Sequence, residues 1–336
     1  MKTRSLRAAA GLGLMVAVVA ALGWASPAQA AGDSDVATTS VSAAKQAAAN
    51  KYWTPQRLRN AVPGDALMLG RSLEEVVGKV TAGVPQIVMG TKASGPLGLG
   101  SLLGDSAFAG SYYTGGGQVV KTTGKVFFTL GGANYQCSGS SVKAKNNDLV
   151  LTAGHCLNAG PGAFATNFVF IPGYKDGAAP YGKFPARKLT TTTQWKNNGD
   201  LNYDVGLAVV SRSGKTHLAQ KVGAQGIGFN QPRGKLMYSF GYPAASPYNG
   251  NSLAWCHAQV ADDTVGDSSD QGMKCNMTGG SSGGPWYLGY NEKAGAGLAN
   301  SVNSFKYQTL VFEGDTMFGP YFGSVIQSLY KTAQSL

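Results

Sequence analysis

Two short segments carry the residue types that can do chemistry. Gly280-Ser281-Ser282-Gly283-Gly284-Pro285 sets serine among glycines, and Thr152-Ala153-Gly154-His155-Cys156 places a histidine well upstream. A serine hydroxyl is a poor nucleophile at neutral pH and needs a base within hydrogen-bond reach. Neutral imidazole, with a reference pKa of about 6.5, suits that role. The pair therefore points to nucleophilic acyl transfer, with Ser282 as nucleophile and His155 as base. Glycines beside the serine let the backbone turn tightly and expose N–H groups, here those of Gly280 and Ser282, toward the oxyanion of a tetrahedral intermediate.

A third group should hold the imidazole in one tautomer and stabilise its charged form. Asp204 is the candidate, because it immediately precedes Val205-Gly206-Leu207-Ala208-Val209-Val210, a run apolar enough for a buried strand. Asp200 is the alternate, but it lies in Asn197-Asn198-Gly199-Asp200, where turn formation is sufficient explanation. The nucleophile segment also matches GxSxG, the elbow of α/β-hydrolases, in which the histidine follows the serine. His155, His217 and His257 are the chain's three histidines and all precede Ser282, so that reading lacks its base. The order His155, Asp204, Ser282 remains.

These motifs together resemble those of secreted bacterial trypsin-like, chymotrypsin-family serine proteases. TAGHC at 152–156 matches the family's histidine motif, Asp204 before an apolar strand its aspartate motif, and GGSSGGP at 279–285 resembles GDSGGP. The resemblance covers roughly residues 124–330. It implies an all-β fold of two packed antiparallel β-barrels with a C-terminal helix, and a His155–Asp204–Ser282 triad acting on peptide bonds without a metal or other cofactor. It also implies that an extended peptide pairs with the strand after the nucleophile, within Ala299–Asn303, so that Ala299, Asn300 and Ser301 contact substrate. The base of the specificity pocket falls near Asn276.

Two departures matter. The family's aspartate before the nucleophile, which receives a new N-terminal ammonium on zymogen cleavage, is here Ser281. The glutamyl-endopeptidase-like branch, which also lacks it, resembles the chain better, yet that branch's specificity histidine would follow Ser282 and none does. Trypsins carry an acid where Asn276 stands, and the nearby ionisable side chain is Lys274, so neither basic nor glutamate specificity is inferred.

Residues 1–30 read as a secretory signal: Lys2, Arg4 and Arg7 precede an apolar stretch from Ala8 to Leu22, followed by Ala28-Gln29-Ala30 as a cleavage site. The apolar stretch falls short of the ~20 residues needed to span a bilayer, so no membrane association is expected after cleavage. Removing the signal takes three of the +11 formal charges and leaves +8. The remaining Lys and Arg are scattered, which favours solubility over specific nucleic-acid binding. Export would let the four cysteines pair, and sequence alone allows three pairings. The family has a bridge at Cys137–Cys156, and Cys256–Cys275 is its companion; a zinc site is disfavoured, since no CxxC pair occurs.

Between signal and catalytic segment the composition changes. Residues 36–61 are rich in Ala, Gln and Lys, with Pro55 expected to open a helix through Arg59, and a second short helix is expected at Ser72–Val80. Residues 90–117 hold nine glycines in 28 positions and suit an exposed linker. Residues 31–115 are thus expected to form a pro-segment that inhibits the enzyme or aids its folding, cleaved in the linker from a protease domain at 116–336, with an unprocessed N-terminal extension as the alternative. Short runs at Val126–Leu130, Leu149–Ala153, Val205–Val210, Leu236–Tyr242 and Tyr307–Phe312 read as strands, and Val325, Ile326, Leu329 and Tyr330 mark one face of a terminal helix. The expected product is a monomeric, secreted endopeptidase with polypeptide substrates. An idle homologue that only binds a partner, or an esterase or transacylase using the same triad, are the alternatives.

Overall fold

The computed structural model describes Met1 and residues 35–68, 79–91, 107–309, 312–313 and 315–336. The signal segment and most of the expected Ser72–Val80 helix lie outside the described residues.

The N-terminal segment contributes β1 (Val36–Ser40), two helices, β2 (Val62–Pro63), β3 (Gln86–Val88) and β4 (Phe108–Tyr112). The helices are Ala43–Tyr52 and Pro55–Arg59, capped at their N-termini by the Ser42 and Thr54 side chains. The second begins at Pro55 as expected.

The first half of the catalytic region folds as β5 (Thr123–Leu130), β6 (Ala133–Ser141), β7 (Leu149–Thr152), β8 (Thr166–Pro172), β9 (Phe184–Thr192) and β10 (Gly206–Val210). Antiparallel pairings run β5–β6–β7–β10–β9–β8 and then return from β8 to β5, which closes a six-strand barrel without free edges. Phe127, Phe128, Val150, Leu151, Phe170, Phe184 and Leu189 on these strands are fully buried, and since neighbouring strand residues point to opposite faces, both faces of the barrel wall are covered.

In the second half, β11 (Gly226–Phe229), β12 (Leu236–Gly241), β13 (Ala254–Gln259), β16 (Pro285–Asn291) and β17 (Ala296–Val302) build a seven-stranded sheet in the order β3-β11-β17-β16-β12-β13-β4. A smaller sheet joins β14 (Ala261–Asp262), β15 (Gln271–Lys274) and β20 (Thr316–Gly319). The run expected as a strand at Tyr307–Phe312 is instead a hairpin of two-residue strands, β18 (Gln308–Thr309) and β19 (Phe312–Glu313). The C-terminal helix, Ser324–Ala333, buries Ile326, Leu329, Tyr330 and Ala333. Among these, Tyr330 stacks near Phe229 and donates its hydroxyl to Lys143 O. The all-β architecture with a closing helix is therefore present.

The segment before residue 115 is built into both halves. β1 pairs antiparallel with β9, and Trp53 is wholly buried against Phe127, donating its indole N–H to Asn167 O at 2.6 Å. β3 pairs with β11 and β4 with β13. The glycine-rich stretch is thus not uniformly an exposed linker: Phe108 and Tyr113 pack on Trp255, and these aromatic contacts outweigh the glycines around them.

Candidate active site

His155 sits on a single 3-10 turn, Gly154–Cys156, directly after β7, and the Cys137–Cys156 disulfide ties that turn to β6. Asp204 ends a second such turn, Leu201–Tyr203, just before β10. Because β7 and β10 are paired neighbours, the two side chains emerge side by side. Asp204 Oδ1 accepts the His155 backbone N–H and Oδ2 accepts from Nδ1, both at 2.7 Å. That arrangement places a proton on Nδ1 and leaves Nε2 as the acceptor.

Ser304, which the sequence reading did not single out, donates its hydroxyl to the same Oδ2 at 2.5 Å. Burial alone would raise the pKa of this fully buried carboxyl. The His155 charge and the hydrogen bonds from His155 and Ser304 outweigh it and hold Asp204 below the usual carboxylate range. Asp200, the alternate, instead caps the Leu201–Tyr203 turn by accepting from Asn202 N.

The serine-bearing turn comes from the segment between β15 and β16. Ser138 N donates to Ser282 O at 2.7 Å and Ser138 Oγ to Gly280 O at 2.9 Å, so β6 of the barrel grips the turn from beneath. Asn303 grips it from the other side: its N–H donates to Gly284 O, its carbonyl accepts from Gly283 N, and Nδ2 donates to Ser281 O. Both Gly280 (φ +92°) and Gly283 (φ +76°) lie in the left-handed region, and a Cβ on Gly283 would stand 2.1 Å from Thr152 Oγ1. Among the described residues the N–H groups of Gly280 and Ser282 have no acceptor, whereas those of Ser281, Gly283 and Gly284 do. Two unspent donors beside a hydroxyl are what an oxyanion needs.

His155 is 1% and Ser282 4% exposed, and His155 Nε2 has no hydrogen-bond partner among the described residues. The serine-to-imidazole bond is therefore not made in this state.

The other sequence-derived positions divide. Ala299, Asn300 and Ser301 are buried inside β17; Asn300 Nδ2 donates to Gly228 O and Ser301 Oγ to Pro320 O. The stretch that reaches Asp204 begins only at Ser304, past the end of β17. Asn276 lies where Tyr248 donates to its Oδ1 and its N–H donates to Ala109 O. Beside it the cation is Lys306, whose Nζ donates to Cys275 O at 2.7 Å, whereas Lys274 is exposed. The second disulfide joins Cys256 to Cys275 and anchors the start of this segment. His217 pairs with Asp148, and His257 stacks among Phe108, Tyr238 and Trp255. Cys137, His155 and Cys156 are near enough to share a metal ion, but both sulfurs are spent on the disulfide.

A closed β-barrel that carries a buried His–Asp pair, bonded through Ser138 to a glycine-flanked serine turn of the second half, fits the chymotrypsin-like class. The chain belongs to the family of bacterial chymotrypsin-like serine proteases. It is 51% identical to protease Anisep from Arthrobacter nicotinovorans, with 68% of this chain and 100% of that one covered at a TM-score of 0.63. It is 45% identical to a thermostable serine protease, AL20, from an extremophilic microorganism, over 65% of this chain and 99% of that one, TM-score 0.61. A Glu endopeptidase, 17% identical with a TM-score of 0.51 over 68% of this chain and 98% of that one, shares the fold. A 74-residue stretch is 31% identical to an extracellular metalloprotease of Bacillus subtilis (strain 168); the match spans 22% of this chain and 23% of that relative's length. No family model matches the chain.

Proposed function

We propose that the chain is the precursor of a secreted serine endopeptidase that cleaves peptide bonds through His155, Asp204 and Ser282. The observation that carries this reading is the doubly bonded His155–Asp204 pair, buried beside a serine whose turn keeps two N–H donors unspent.

In the reaction, Ser282 Oγ attacks the scissile carbonyl carbon while its proton passes to His155 Nε2. The carbonyl oxygen becomes an oxyanion that accepts from Gly280 N–H and Ser282 N–H. The imidazolium is stabilised by Asp204, itself held by Ser304. Collapse breaks the C–N bond and His155 protonates the leaving amine, giving an acyl-enzyme and a free amino terminus. Water then repeats the sequence with His155 as base and releases the acid.

Two disulfides suit an oxidising compartment, and residues 1–30 have the pattern of an export signal. Anisep and AL20 match about two-thirds of the chain, the share a protease domain at 116–336 would occupy, which supports removal of residues 31–115 as a pro-segment. Casein hydrolysis by the processed protein, abolished in Ser282→Ala, is the expected result. Ester cleavage without casein cleavage would favour the esterase reading, and hydrolysis unchanged in Ser282→Ala would overturn the assignment.

A further inference from the structure

The N-terminal segment does not merely border the catalytic centre; one stretch of it lies on the reacting groups. β2 pairs in parallel with Tyr135–Gln136 of β6, and Gln136 Nε2 donates to Ala61 O at 2.7 Å, which delivers the following residues to the His155 turn. Gly64 then crosses the Cys137–Cys156 disulfide so closely that a Cβ would stand 2.4 Å from Cys137 Sγ and 3.9 Å from His155 Cδ2.

Asp65 follows. Its carboxylate fills the space above Gly279, where a Cβ would meet Oδ1 at 2.2 Å and Oδ2 at 2.3 Å, and it lies within the electrostatic reach of His155. Gly279 immediately precedes Gly280, which opens the nucleophile turn and whose N–H has no acceptor among the described residues. The segment continues as a 3-10 turn, Gly64–Met68, and Met68 packs against the small apolar cluster of Trp195, Leu201 and Phe305. Val62–Met68 therefore spans the site from β6 to Phe305. With this stretch in place, His155 and Ser282 are almost fully buried.

We infer that Val62–Met68 is a built-in ligand of the catalytic cleft, an acidic peptide anchored by the Asp65 carboxylate between Gly279 and His155, that keeps the uncleaved chain inactive. The anchor's chemistry fits its place. A carboxylate is an anion with two acceptor oxygens, set beside an imidazole and a turn that carries free N–H donors, groups arranged to receive negative charge. It lies against Gly279, one residue before the turn that carries those donors. Burial works against the anchor by raising the Asp65 pKa, while His155 and the segment's own Asp65 and Ala66 amides favour the ionised form.

This inference rests on the protease reading, and its test separates the two. The full-length secreted chain is prepared uncleaved and, separately, after cleavage in 69–115 with the N-terminal piece washed away. Both are exposed to a fluorophosphonate, and adduct formation on Ser282 is followed by mass mapping. The same is done for Asp65→Ala and for the shape-conserving Asp65→Asn. Processed enzyme from all three is identical in sequence, because residue 65 is gone, so it labels at one common rate.

The expected result is that uncleaved wild-type chain labels at least 100-fold more slowly than processed enzyme, and that each Asp65 variant labels at least tenfold faster than uncleaved wild type while unfolding at a similar temperature. Equal rates for uncleaved and processed wild type would overturn the inference. So would Asp65→Asn labelling as slowly as wild type, since the segment would then block without its carboxylate. Failure of folded, processed enzyme to label at all would instead strike the functional reading.

Discussion

Ser304 lies 100 residues beyond Asp204 in sequence yet donates its hydroxyl to the Asp204 oxygen that also accepts from His155 Nδ1. The carboxylate thus has its charge shared between the imidazole it orients and a hydroxyl from the second half of the fold. Removing Ser304 Oγ in Ser304→Ala should raise the Asp204 pKa, because a hydrogen bond to the charged form is lost. A charge-assisted bond of this kind contributes about 1.5–3 kcal/mol, so kcat should fall by between roughly 10-fold and 150-fold. The acid limb of the kcat/KM profile should move to higher pH. An unchanged limb with lower kcat would mean that Ser304 acts only through packing.

Asn303, the residue before, is a structural clamp. Its Oδ1 accepts from Ser239 Oγ and Trp286 Nε1, both at 2.7 Å, and its Nδ2 donates to Ser281 O and Phe240 O. All of these groups are buried, so Asn303→Ala leaves several of them unsatisfied at once and should cost about 3 kcal/mol or more of stability. Denaturant titration of the processed enzyme would measure it. Asn303→Asp keeps Oδ1 but loses both donations, and it should recover only part of the loss.

The His155–Asp204 pair was legible because it demands residue types that little else explains, a histidine after one apolar strand and an aspartate before another, and these two strands pair in the barrel. Ser304 and Asn303 were not, since a lone serine or asparagine carries no periodicity and its partners lie at sequence distances of 100 and 22 residues. The substrate-strand expectation stopped at Asn303 because β17 reads as a uniform run whose end is set by pairing with β16, not by composition. Phe108–Tyr112 was hidden by the glycines around it; its strand exists because β13 offers an edge and Trp255 a surface.

Lys125 should make stability depend on pH. The side chain is buried within the barrel strand β5, donating to Gln136 Oε1 and, at 2.9 Å, to Gly250 O, and burial pushes its pKa down from 10.5 to about 7. Between about pH 7 and 10.5 the unfolded chain therefore holds a proton that the folded chain does not, and stability rises with pH across that window. The rise should approach about 5 kcal/mol, because each pH unit of the window contributes about 1.4 kcal/mol. In Lys125→Met this component should vanish, leaving a flatter curve with a constant offset from the two acceptors that lose their donor. Equal slopes for wild type and variant between about pH 7 and 10 would mean that Lys125 stays charged in the fold.

A partial likeness to an extracellular metalloprotease invites a test of metal dependence. Among the described residues, Cys137, His155 and Cys156 form the group whose donor atoms fall within 4.8 Å of one another, and the disulfide removes both thiolates from metal binding. His155 Nδ1 is committed to Asp204, which leaves Nε2 as its single free nitrogen, the atom the proposed chemistry uses as base. One imidazole nitrogen is too few ligands to hold a catalytic ion, which ordinarily has about three protein ligands. Casein hydrolysis by processed enzyme should therefore stay within about twofold after prolonged treatment with EDTA or phenanthroline, and should be abolished by a fluorophosphonate in proportion to the Ser282 adduct. Activity lost to the chelator and regained on adding a divalent cation, with Ser282 unmodified throughout, would move the reaction to another centre on the molecule.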